Sequence, residues 1–123
     1  MRRRPNILII EPRQNVRTFV EMTLSQERMR VFSALNLSSA LLQLRVLRPD
    51  LIIVGFDGQD GEESAVVAQI RALSLAPLLA LEHEEGSMPR WGIADTLPHP
   101  YCAGVLCAKI AELLGARQPL SAV

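Results

Sequence analysis

The chain reads as an α/β domain built on a parallel sheet. Three observations point there: short, continuous apolar runs, segments of helical period between them, and alternation of the two along the chain. A strand covered on both faces has no need of polar positions, and the run Ile7-Leu-Ile-Ile10 has none.

Taken in order, the first strand is Ile7 to Ile10, followed by a helix carrying Val16, Phe19, Val20, Thr23 and Leu24 on one side. A second strand, the weakest of the set, is assigned to Val31 to Leu35. Ala40, Leu41, Leu44 and Leu47 then repeat at helical spacing. Leu42 and Val46 fall four apart on the opposite side of that helix and are expected to face outward. The third strand is Leu51 to Val54, with Val66, Val67, Ile70 and Leu73 in the helix after it. Leu78 to Leu81 and the briefer Ala94 to Leu97 complete the strands. The last helix carries Leu106, Ile110, Leu113 and Leu114 and is expected to stop at Gly115. Right-handed crossovers put helices on both faces of such a sheet.

All 123 residues form one domain in this reading, with a core over residues 5 to 115 and tails at 1 to 4 and 116 to 123. A chain of this size buries roughly two thirds of the surface it exposes when unfolded, enough for one core. Acids and bases balance at 13 each, which argues against broad attraction to nucleic acid or an anionic membrane. Arg2, Arg3 and Arg4 are read as a solvated terminus. No apolar run of about 18 residues exists, so the expected location is the cytoplasm. Cys102 and Cys107 are expected to be reduced thiols, and His99 with Cys102 is too few ligands for a zinc site. No glycine-rich phosphate loop follows a strand, and no nucleophile–histidine motif is visible.

Ligands of doubly wound sheets sit beyond the carboxyl ends of the strands. The residues there are Glu11 and Pro12, Gly55 to Asp57, Glu82 and His83, and Pro98 to Pro100. With the stretches Asn6-Ile-Leu-Ile-Ile-Glu11, Arg48-Pro-Asp-Leu-Ile-Ile-Val54, Ile70-Arg-Ala-Leu73, Ala76-Pro-Leu-Leu-Ala-Leu81, Gly92-Ile-Ala-Asp95 and His99-Pro-Tyr101, they resemble the receiver domains of two-component response regulators. The resemblance spans residues 5 to 115 and implies a flavodoxin-like, doubly wound five-stranded sheet of order 2-1-3-4-5.

It also implies a phosphorylation site, from which this sequence departs. Receivers accept a phosphoryl group on an aspartate, with acids holding a divalent cation and a hydroxyl and a lysine offsetting the developing charge. The acid pair falls here on Glu11 and Pro12, the acceptor on Gly55, the hydroxyl on Glu82 and the lysine on His99. Glu11 is expected to meet a backbone N–H or a helix N-terminus rather than a metal. Glu82 and His99 are expected to pair as an architectural link. Nine residues separate Glu82 from Gly92, and Gly86 and Pro89 among them are poor helix formers, so the fourth helix is expected to shrink to a turn. Trp91 lies beside that segment.

The resulting expectation is a phosphorylation-independent pseudo-receiver: a docking or dimerising module of bacterial signalling without catalysis, cofactor or resident metal. Its partner is another signalling protein or a second copy, not nucleic acid or membrane, and Leu42, Val46 and Trp91 are the candidate interaction residues. Two alternatives stand beside it. One is a phosphorylatable regulator using Asp57; the other is a small-ligand or metal sensor using Glu11, Glu82, His83 and His99.

Overall fold

A computed structural model describes residues 4–56, 63–82, 92–98 and 100–117. Among them are five strands and four helices: β1 (Asn6–Ile10), α1 (Gln14–Ser25), β2 (Arg30–Ala34), α2 (Leu37–Leu44), β3 (Leu51–Gly55), α3 (Glu63–Arg71), β4 (Leu78–Glu82), β5 (Asp95–Pro98) and α4 (Ala103–Arg117). All four strand pairings are parallel and the order is β2-β1-β3-β4-β5, as the resemblance implied. The expected shortening of the fourth helix concerns residues 83 to 91, which lie outside the described residues.

Alternation along the central strands divides the core into two layers. Leu8, Ile10, Ile52, Val54, Leu78 and Ala80 pack on one face with Ala40 and Leu44 of α2 and Val67 and Ile70 of α3. Ile7, Ile9, Leu51, Ile53, Leu79 and Leu81 pack on the other with Val20 and Leu24 of α1 and Leu106 and Ile110 of α4. Every apolar residue of β1 and β3 from Ile7 to Ile10 and Leu51 to Val54 is buried, which explains why these runs have no polar member. Register is pinned at the start of β1 and β3 by a reciprocal pair of bonds. Asp50 N–H donates to the Asn6 carbonyl at 2.7 Å, and Asn6 N–H donates to Asp50 Oδ2 at 2.8 Å.

Helix ends depart from the apolar pattern in three places. The α2 helix opens on an Asn36 side-chain cap to Ser39 N–H at 2.8 Å and closes at Leu44, so Val46 and Leu47 lie beyond it in a tightened turn. The α3 helix closes at Arg71, where the N–H groups of Leu73 and Ser74 both return to the Ile70 carbonyl; Leu73 is therefore exposed rather than core. Gly115 does not stop α4, which runs two residues further to Arg117. A glycine costs about 1 kcal/mol inside a helix, an amount that packing of a helix face outweighs. Leu114, one residue earlier, is buried and anchors that last turn.

The Arg71 guanidinium reaches across the end of α3. It donates to the carbonyls of Ala76 at 2.5 Å and Gly92 at 2.8 Å, bracing the entries to β4 and β5 together. Burial pulls its pKa down from the ordinary value, yet an arginine stays charged. Both cysteines are free, Cys102 just ahead of α4 and Cys107 within it. No helix among the described residues is long and apolar enough to cross a membrane.

Candidate functional site

Glu11 follows the last residue of β1, and Gly55 ends β3. The pairing of Ile10 with Val54 brings the two positions side by side at the carboxyl edge. By strand alternation both belong to the face covered by α1 and α4. Glu11 is completely buried, and Pro12 next to it is exposed.

A fully buried carboxylate is unfavourable unless its lone pairs are met. Here Arg13 meets them: its backbone N–H donates to Oε2 at 2.8 Å, Nε donates to Oε2 at 2.9 Å, and an Nη donates to Oε1 at 2.9 Å. The two-pronged pairing of a planar guanidinium with a carboxylate is the strong form of the interaction. Arg13 is also the residue before α1, so the carboxylate lies at the helix N-terminus, as expected from the sequence. Arg17, one turn on, donates to the Glu11 carbonyl at 2.9 Å.

The Glu11 side chain reaches into the place where a residue at position 55 would carry its own. A Cβ built on Gly55 would stand 2.6 Å from Glu11 Cδ and 3.1 Å from Oε2, and nearer still to Oε1. No substituent fits there without moving Glu11. The space in front of Gly55 is therefore filled rather than empty: a carboxylate from the neighbouring strand occupies it, neutralised by a guanidinium. Tyr101 closes the site from the start of α4. Its ring is tilted against Phe19, with centroids 6.0 Å apart. Burial pushes the Tyr101 hydroxyl above its ordinary pKa, and the negative charge of Glu11 adds to that while Arg13 opposes it.

A divalent cation does not fit this donor set. Even magnesium, which keeps several waters, needs one or two free carboxylates, whereas Pro12 and Gly55 carry none and both Glu11 oxygens already accept from Arg13. Among the described residues no group of three or more metal-ligating side chains is present.

The remaining site residues are only partly placed. Glu82 ends β4 opposite Pro98 of β5, so the strand ends leading to Glu82 and His99 are neighbours. The proposed side-chain pair itself lies outside the described residues, as do Asp57, His83 and Trp91. Leu42 is 65% exposed and Val46 89% exposed, so both face outward. They belong to the end of α2 and the turn after it, which leads to the amino edge of β3, away from Glu11. Arg13 escaped the reading of the sequence. A charged residue two places after a strand is solvated by default, and only the spacing Glu11-Pro-Arg13 hinted at a pair.

The fold and the order of these strand ends have counterparts in known proteins. The chain is 32% identical over 114 residues to the KDP operon transcriptional regulatory protein KdpE of Escherichia coli, covering 89% of this chain and 51% of that protein. The chain is a response-regulator receiver domain. It spans about half the length of that relative. No family model matches this receiver. In structure it resembles a two-component response regulator from Clostridium difficile, with a TM-score of 0.80 at 19% identity over 94% of this chain and 100% of that one. It also resembles the receiver domain of a Pseudomonas aeruginosa sensor histidine kinase solved with magnesium in its active-site cleft. That match has a TM-score of 0.77 at 22% identity, over 91% of this chain and 98% of that one.

Proposed function

We propose that this receiver works without phosphorylation, as a protein-docking module of a bacterial signalling pathway. One observation carries the reading: the Glu11 carboxylate, held by Arg13, stands where the acceptor side chain would be. Phosphoryl transfer requires an acceptor oxygen, a cation and donors aimed at the developing charge. The described part of the site supplies a glycine, an exposed proline and a carboxylate already neutralised. A preformed ion pair in place of a reversible phosphoryl group leaves the domain in one electrostatic state, which suits constant recognition of a partner better than switching.

The test is incubation of the chain with an acyl phosphate donor and magnesium, followed by intact-mass measurement. The expected mass is unchanged. Stoichiometric phosphorylation would overturn the reading, and its mapping to Asp57 would establish a conventional regulator with a displaced acceptor.

A further inference from the structure

At the amino edge of the sheet, far from the Glu11 site, the end of α2 and the end of α3 enclose a groove of about 830 Å³. Its walls carry Arg45, Arg48 and Arg71 and no acidic residue. Arg71 is committed to backbone carbonyls. The guanidinium groups of Arg45 and Arg48 are exposed and have no ion pair among the described residues. Between and beside them stand Val46 and Leu75, 89% and 86% exposed, with Leu73 half in solvent.

Apolar side chains this open are ordinary when scattered singly, but here they share one concave surface with two positive charges that have no ion pair among the described residues. We propose that this groove docks an acidic, amphipathic segment of another protein, whose carboxylates meet Arg45 and Arg48 while its apolar side chains cover Val46 and Leu75. The proposal rests on the reading of the domain as a docking module and names its surface and the chemistry of its partner. Charge complementarity selects the sign of the occupant. The exposed apolar lining selects protein over nucleic acid, which is held chiefly by many phosphate contacts rather than by two arginines beside apolar side chains. The volume is of the size that binding clefts have, roughly 300 to 1,000 Å³.

Two fluorescent synthetic peptides test it against the whole chain: an amphipathic helix of leucine and glutamate, and the same helix with lysine in place of glutamate. By anisotropy the glutamate peptide is expected to bind at least tenfold more tightly than its lysine counterpart. Arg45→Glu with Arg48→Glu, and separately Val46→Asp, should each weaken it at least tenfold with the melting temperature unchanged. Equal affinity for the two peptides, binding of neither, or indifference to these variants would overturn the proposal. So would tighter binding of an oligothymidylate than of the glutamate peptide. Sedimentation showing a dimer that the same variants dissociate would give the groove to a second copy instead. A chain that resists phosphorylation yet ignores the glutamate peptide keeps the previous reading and loses this one.

Discussion

The β1 and β3 strands and the residues at their carboxyl ends obey different rules. Within the strands, Ile7 to Ile10 and Leu51 to Val54 are buried apolar side chains that any parallel sheet would accept. One step further, Glu11 and Gly55 form a matched pair, in which the absence of one side chain makes room for the other. The interior therefore specifies the fold and is indifferent to the chemistry. The edge specifies what the domain can do and is coupled residue to residue. Receiver architecture and the chemistry of its carboxyl edge are therefore stored in different places.

The strongest way to break this comparison is Gly55→Asp. The new side chain needs the space of the Glu11 carboxylate, so buried crowding and a second buried negative charge should destabilise the fold by about 3 kcal/mol or more. Urea denaturation checks this, and an unchanged midpoint would show that Glu11 yields easily. Glu11→Ala added to Gly55→Asp should recover part of the loss, because Arg13 then meets the new carboxylate. Neither variant is expected to gain a phosphoryl group from an acyl phosphate, since Pro12 still supplies no ligand to a cation.

Arg13→Ala sharpens the same point from the other partner. It leaves Glu11 buried without its guanidinium and should cost about 3 kcal/mol at neutral pH. Glu11→Gln in the same background removes the uncompensated charge and should restore part of that stability. If the double variant is as unstable as the single one, packing by the arginine stem matters more than its charge.

The smallest effect is expected at a pair between β5, at the edge of the sheet, and α4. Asp95 accepts from Lys109 at 2.7 Å. Burial opposes the charge of Asp95, but hydrogen bonds from Lys109 and the Thr96 N–H outweigh it and hold the carboxyl below its ordinary range. The same hydrogen bond raises Lys109. A depressed carboxylate contributes stability above its unfolded value of about 3.9 that is lost as pH falls through the folded one; a raised lysine contributes below about 10.4 and loses it as pH rises further. Both partners are partly exposed, so Asp95→Asn should cost less than about 1 kcal/mol at pH 7, with the difference from the parent shrinking in acid. Melting curves from pH 2 to pH 7 would show it, and a deficit that grows in acid would reverse the sign.

How much of this was legible in the sequence follows from the same division. The strands could be read because each is a continuous apolar run whose burial requires nothing from distant residues. The α2 and α3 helices stop short of the apolar spacing at Leu47 and Leu73, because their closing hydrogen bonds leave no mark in composition, while α4 passes Gly115 because packing of Leu114 outweighs the local preference of a glycine. At the site, the residue types at Glu11, Pro12 and Gly55 were visible, but not that one fills the space of another. That relation needs the β1–β3 register, the direction of one side chain, and an arginine that sequence alone places in solvent.

The brace made by Arg71 has a consequence for how the chain can change length. Gly92, with its positive φ of 88°, is held by a charged donor anchored in α3, and β4 is held by its ladder to β3. The stretch from residue 83 to residue 91 thus joins two points fixed independently of it. A change in the number of residues between those points is therefore expected to leave β5 in register, because Arg71 and the β3 ladder hold its flanks.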